Sequence, residues 1–270
     1  DTIFVVSKQN EKFKDIAING GFELLNSSEL KNYLDMSSIK IIGVTGTNGK
    51  TTTASTIYKI LLNLGYKVAL QGTRGFFINE LCVEDYSLTT PVQLGNFINI
   101  QKAIQNSCQY FVMEVSSHAI EQNRIEGLDF ALKIHTNITR DHLDYHKTIE
   151  EYIRVKNLFL SDESKKLINI DDKVVKFNPI NAFTYSLENN SNFKVLKYEL
   201  KDSMNVEFLY ENKNYKFSTN MMGIFNIYNL IASIAAVHIT TNEKLENICK
   251  VVEKFSSISG RMEVVSTKPL

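Results

Sequence analysis

Apolar positions along the chain fall into two kinds of run, short unbroken ones and longer periodic ones, and the two alternate. Residues 39–45, 67–71 and 110–115 are rich in Ile, Val, Tyr and Phe and read as strands. Between them, residues 51–64 carry Ile57, Ile60, Leu61 and Leu64 at helical spacing and end at Gly65, a usual capping residue. A second helix is expected after Pro91, through Leu94, Phe97, Ile98 and Ile104. This alternation predicts an α/β fold, a mostly parallel sheet flanked by helices. A further strand over 130–137 leads through a polar segment to a helix over 149–159. From 166 to 217 the pattern turns strand-rich, a smaller β-rich subregion, with 206–210 and 215–218 reading as a hairpin across 211–214. Helices over 226–238 and 243–255 follow. Near the start, a short strand over 3–6 and a helix over 27–34 are expected.

Composition narrows the field. A chain of 270 residues with 43% hydrophobic content can bury a sizeable core. Thirty basic residues balance thirty acidic ones, so no overall field holds nucleic acid or an anionic membrane, and any anion must be gripped locally. No uninterrupted apolar run approaches the roughly 20 residues of a membrane span, and the basic-then-apolar layout of a signal peptide is missing. A cytoplasmic location is therefore expected; a monomer acting on small molecules is a separate expectation. Cys82, Cys108 and Cys249 lie far apart without a CxxC pair, the pattern of reduced thiols.

The candidate chemistry begins with Gly43-Val-Thr-Gly-Thr-Asn-Gly-Lys-Thr-Thr-Thr53, placed between the first long strand and the first long helix. A P-loop there presents backbone N–H groups and a helix N-terminus to phosphate. Gly46 and Gly49 permit close approach, Lys50 supplies a point charge, and Thr51 offers a hydroxyl to magnesium. Val44 stands where the strict Walker pattern has glycine, so the match is to the shorter GxxGKT form. Glu114, near the end of a strand, is a natural magnesium ligand or an acid satisfied at a strand end. Asp141, His142, Asp144 and His146 crowd into six residues after a strand. The two histidines could share a helical face as zinc ligands, but a mixed magnesium environment beside a nucleotide fits the oxygen donors better. Lys156 shares a helical row with Tyr152, and from the pattern alone it reads as a snorkelling surface lysine.

Six motifs in order carry a resemblance: GTNGKTT, LTTP ending at Pro91, MEVSSH ending at His118, TNITRDHLDYH ending at His146, FNIYN ending at Asn229, and GRMEVV ending at Val265. The chain resembles the Mur ligases, the ATP-dependent amide ligases of peptidoglycan synthesis. The type that adds the third residue to UDP-N-acetylmuramoyl-L-alanyl-D-glutamate is the nearest likeness. The resemblance implies that a substrate carboxylate is activated by ATP as an acyl phosphate, which an amine then attacks. It assigns Gly46, Thr47, Asn48, Gly49, Lys50, Thr51 and Thr52 to ATP, with Asn226, Asn229 and Arg261 also on the nucleotide. Thr51 and Glu114 are assigned to magnesium, His142 to a second magnesium, and Lys156 matches the family's carbamylated lysine. Lys50, Glu114, His142 and Lys156 form the implied catalytic set. Thr89, Thr90, Ser116, Gln122 and Arg124 match positions holding the UDP-muramoyl-dipeptide. By the same likeness, residues 1–36 are the remnant of an N-terminal UDP-binding domain and 37–270 the central ATP-binding domain. No counterpart of the family's C-terminal amino-acid-binding domain is expected within the chain, so alone it is expected to bind nucleotide weakly and not ligate. Two other readings remain open at this point, a folylpolyglutamate synthase-like ligase and a noncatalytic nucleotide-binding module.

Overall fold

The computed structural model of the chain describes residues 2–85, 88–139 and 146–255. At its start, β1 (Ile3–Val6), α1 (Lys14–Asn19) and β2 (Glu23–Asn26) form a parallel two-stranded unit with a sheet of its own. The helix expected over 27–34 is instead a 3-10 helix, Ser27–Asn32, opened by a capping box between Asn26 and Glu29. The main body then runs β3 (Lys40–Thr45), α2 (Lys50–Asn63), β4 (Val68–Gly72), β5 (Gly75–Ile78), β6 (Leu81–Glu84) and α3 (Gln93–Gln105). It continues with β7 (Tyr110–Val115), α4 (Ser117–Glu121), β8 (Phe130–His135) and α5 (Ile149–Leu158). Strands β9 (Lys166–Asn169), β10 (Ala182–Ser186), β11 (Phe193–Leu200), β12 (Met204–Tyr210) and β13 (Lys213–Thr219) follow, then helices α6 (Ile224–Thr241) and α7 (Leu245–Val252).

β3 to β13 make one eleven-stranded sheet in the order β13-β12-β11-β10-β9-β8-β3-β7-β4-β5-β6. The strands from β11 to β4 in that order are all parallel, and an antiparallel pair of strands extends each end. The β-rich subregion is therefore the continuation of this sheet, because β10 pairs in parallel with both β9 and β11. Its closing hairpin turns more tightly than the sequence suggests. Only Glu211 and Asn212 separate β12 from β13, with φ of 47° and 61°, the positive pair that a two-residue hairpin turn requires.

The unbroken apolar runs exist because both sheet faces are covered. Along β3, Ile42 and Val44 enter one core with Ile57, Ile60 and Leu61 of α2 and Leu230, Ile231 and Ile234 of α6. The alternate residue Ile41 enters the other core, with Phe97 and Ile100 of α3 and Phe111 and Met113 of β7. Each fully buried Ile or Phe contributes about 1.5–3 kcal/mol by leaving water, so α2 and α3 are clamped to opposite faces. Helix α6 alone among the described residues is long and apolar enough to cross a membrane, yet 61% of it is buried here as a core helix. The strands β3, β4, β7 and β8 all end on the same edge, and that edge carries the motifs.

Candidate active site

The phosphate loop leaves β3 at Thr45 and enters α2 at Lys50, with Gly49 at the N-cap. Two glycines are required by close neighbours. Gly46 has φ of 151°, and a Cβ there would overlap the Thr136 hydroxyl. Gly49 has φ of 83°, and a Cβ there would overlap Asn229 Oδ1. The loop is held from one side by residues 136–139. Thr47 N–H donates to Asn137 O (2.7 Å), and Asn48 N–H donates to Asn137 Oδ1 (3.0 Å). Thr139 N–H donates to Thr47 Oγ1 (3.0 Å), and Thr136 Oγ1 donates to Asn48 O (2.6 Å). Asn137 thus takes the amides of Thr47 and Asn48, and α2 begins directly after them with the kind of helix entry that suits an anion.

Two lysines converge on one carbonyl. Lys50 Nζ donates to Gly46 O (2.7 Å) and Thr47 O (2.9 Å), and Lys156 Nζ donates to the same Gly46 O (2.8 Å). Lys156 is 1% exposed, which overturns the reading of a snorkelling surface residue. The cause lies in α5: Thr148 caps it by accepting the Glu151 N–H, Glu150 and Glu151 occupy its first turn, and Tyr152, Val155 and Lys156 fall on its inward face. Tyr152 is fully buried, its hydroxyl 3.0 Å from Thr47 Oγ1, with the Lys156 ammonium 4.9 Å from its ring centroid.

Glu114 lies on β7 one residue before its end, where its buried carboxylate accepts Thr51 Oγ1–H (2.9 Å), Thr73 N–H (2.8 Å) and Thr73 Oγ1–H (3.2 Å). A Cβ on Gly72 would overlap that carboxylate, so β4 needs glycine where it passes. Thr51 and Glu114 together offer the hydroxyl and carboxylate oxygens that magnesium takes beside phosphate, the rest of its shell being phosphate and water. They fit that ion. Gly72 and Thr73 escaped the reading of the sequence, although a glycine directly at a strand end next to the phosphate-loop strand was a visible signal.

The residues assigned to the second substrate do come together. Thr90 Oγ1 donates to Glu114 O (2.8 Å) and accepts from Ser116 N–H (3.0 Å). Arg124 donates from Nη1 to Thr90 O (2.8 Å) and from Nε and Nη2 to Gln122 Oε1 (2.9 and 2.6 Å). Thr89 Oγ1 lies 3.2 Å from Thr73 Oγ1. Thr89, Thr90, Ser116 and Arg124 line a cavity of about 320 Å³ together with Lys50 and Lys156. A buried amide network braces this wall: Gln71 joins Asn96 and Asn99 at 2.8 Å each, and Asn96 donates to Arg124 O (2.8 Å).

Asn226 and Asn229 line a second cavity of about 490 Å³, with Asn48, Gly49, Thr52 and Tyr228 also in its wall. Asn229 Oδ1 accepts Thr53 Oγ1–H (3.3 Å), and its amide donates to Asn226 Oδ1 (3.2 Å). Asp171 fixes Tyr228 from behind, accepting its hydroxyl at 2.9 Å. Burial pushes the Asp171 carboxyl up, but hydrogen bonds from Ser186, the Leu187 amide, Asn189 and Tyr228 outweigh it and bring it down to about 2. The phosphate loop forms the partition between the two cavities. A larger cavity of about 990 Å³, between α5 and residues 173–179, holds none of the motif residues. His142, Arg261 and the acids Asp141 and Asp144 lie outside the described residues.

With this geometry in place, the comparisons decide the family. The Mur ligase middle domain matches residues 44–237. The chain belongs to the Mur ligase family. The UDP-N-acetylmuramoyl-L-alanyl-D-glutamate--2,6-diaminopimelate ligase of Wolinella succinogenes is 47% identical, over 99% of this chain and 62% of the relative. The ligase of the same name from Helicobacter pylori is 45% identical, over 100% of this chain and 62% of its own length. A solved structure of a ligase of that name superposes with a TM-score of 0.80 at 26% identity, covering 98% of this chain and 62% of the other. An FPGS–AMPPCP–folate complex shares the fold alone, with a TM-score of 0.66 at 15% identity over 84% of this chain and 65% of the other. The chain thus spans 62% of the length of these two curated Mur ligases.

Two predictions follow from the geometry. Gly49→Ala places a side chain at positive φ and against Asn229, and should cost about 1–3 kcal/mol, read as a lower urea midpoint at unchanged slope. His135, at the end of β8, has its pKa held below the ordinary imidazole range by burial, which outweighs the raising effect of Asp172. The unfolded chain therefore takes up a proton first, and stability should fall as pH drops below about 6.5. Urea titrations across that range should show a shallower decline for His135→Gln than for wild type.

Proposed function

We propose that this chain is the ATP-binding and carboxylate-activating part of a ligase that adds the third residue to UDP-N-acetylmuramoyl-L-alanyl-D-glutamate. The single observation that carries the reading is the shared cavity. Lys50 and Lys156, from the phosphate-loop side, line the same 320 Å³ space as Thr89, Thr90, Ser116 and Arg124. A triphosphate reaching that space from the loop would place its γ-phosphoryl group beside a bound acid. A carboxylate approaching a triphosphate meets anion-anion repulsion, and Lys50 and Arg124 supply the opposing charge. The substrate carboxylate attacks the γ-phosphorus, ADP leaves, and an amine then attacks the acyl phosphate and expels phosphate. Neither step requires a protein nucleophile, so the chain's contribution is positioning and charge.

Within this reading, the amides from Gly49 to Thr52 and the Lys50 ammonium hold the phosphates. Asn226 and Asn229 border the cavity suited to the nucleoside end. Thr51 and Glu114 hold magnesium, with His142 for a second ion and Arg261 for the phosphates. Magnesium, when bound, neutralises charge on the transferring phosphoryl group. Gln122 acts by orienting Arg124. Lys156 takes up carbon dioxide as a carbamate, which would turn a buried cation into an oxygen ligand. The names of the relatives support 2,6-diaminopimelate as the incoming amine. The cytoplasm is the compartment in which this reaction belongs.

The shared fold of the FPGS complex keeps a folate-directed ligase as the rival reading. Thermal shift separates the two: UDP-muramoyl-dipeptide should raise the melting temperature of the chain and folate should not, and the opposite result would transfer the assignment. Lys50→Met should weaken MgATP binding roughly tenfold or more by calorimetry, the scale of one charge-assisted hydrogen bond. Equilibration with 13C-bicarbonate should give a carbamate resonance that Lys156→Arg lacks.

A further inference from the structure

Beside the segment that holds the phosphate loop lies a buried pair that the proposed reaction does not use. His135 is fully buried, and its Nε2 lies 2.8 Å from Asp172 Oδ2. A carboxylate only accepts, so Nε2 carries the proton, and Nδ1 is left as a buried lone pair with no hydrogen-bond partner. The same Asp172 Oδ2 accepts the Ile138 N–H at 2.7 Å, and Oδ1 accepts the Val174 N–H at 3.2 Å. Three N–H donors converge on one carboxylate whose side chain is only 8% exposed. Water is poorly placed to replace any of them.

Ile138 is the residue between the two that shape the loop. On one side of it Asn137 takes the amides of Thr47 and Asn48, and on the other Thr139 donates to the Thr47 hydroxyl. The bond from Ile138 to Asp172 therefore fixes the backbone through which both contacts are set.

We propose that Asp172, oriented by His135, is a positioning residue for nucleotide binding, holding residues 136–139 in the register that keeps the phosphate loop open to one anion. This rests on the phosphate-loop reading above and adds a residue that acts through the segment bracing the loop.

Asp172→Ala is the informative change, since it removes all three bonds, whereas an asparagine oxygen at the Oδ2 position would keep those from His135 and Ile138 and lose only that from Val174. In this chain Asp172→Ala should weaken MgATP binding about tenfold by calorimetry, the scale of one charge-assisted hydrogen bond. Hydrogen exchange on the same samples should show faster exchange at the Ile138 and Thr47 amides, with the Ala235 amide in α6 unchanged. His135→Gln, which keeps a donor near the Nε2 position, should bind as wild type does, whereas His135→Leu should bind more weakly. A lower melting temperature with unchanged affinity in Asp172→Ala would reduce the pair to a structural role and overturn the proposal. If Asp172→Ala does not fold, equal affinities for His135→Leu and His135→Gln overturn it instead. A wild-type chain that binds no MgATP would remove the phosphate-loop reading and this proposal together.

Discussion

A loop that offers its amides to an anion cannot use those amides to hold its own shape, so its conformation must be imposed from outside. Here the imposing element is the segment following β8. Asn137 gives an acceptor to each of two loop amides, Thr136 and Thr139 close the remaining polar contacts, and Asn229 fills the space beside Gly49. Every other feature of the site is arranged around that fixed turn. Lys50 and Lys156 meet at the Gly46 carbonyl, Tyr152 reaches the Thr47 hydroxyl, and Glu114 takes the Thr51 hydroxyl.

The parallel sheet explains why these residues can meet. β3 lies between β7 and β8, and all three end on one edge, so a residue near the end of each strand is a near neighbour of the others. Thr45, Glu114 and His135 arrive there from positions far apart in the chain. The covering helices are buried on the sheet side and carry short polar residues that find partners there, Thr51 with Glu114, Thr53 with Asn229 and Ser233 with the Thr53 and Asn229 carbonyls. The phosphate loop then stands as a partition, with a nucleoside-sized space on the α6 side and a hydroxyl-lined space on the α4 side.

Much of this could be read from the residues, and what could not has physical reasons. The central strands and α2, α3, α5 and α6 show as runs and periods because both sheet faces are covered, a condition that leaves an apolar signature. β6 left no such signature: it is exposed along its length, and it is placed by pairing to β5, which no local pattern reports. Lys156 shares its row on α5 with Ile149 and Tyr152 and read as a snorkelling lysine because its long stem can carry the charge to water, and only the third dimension shows that Tyr152 and the Gly46 carbonyl enclose it. The motifs named the residues around the 320 Å³ cavity, but the Gln71, Asn96 and Asn99 network that braces its wall is distributed over β4 and α3 with no spacing rule. Asp172 escaped for the same reason, since two of its three partners are backbone amides and the third, His135, lies on β8.

The seam between α6 and the phosphate loop has a consequence for biosynthesis. Thr53 and Asn229 are 176 residues apart, and Lys156 lies 110 residues beyond the carbonyl it grips. At the usual elongation rate of about 5–20 residues per second, roughly ten seconds or more separate the emergence of the glycine turn from that of the asparagine which seats beside it. During that interval the glycine turn exists without the side chain that packs against it, so the turn can settle into the shape seen here only once residue 229 has been made.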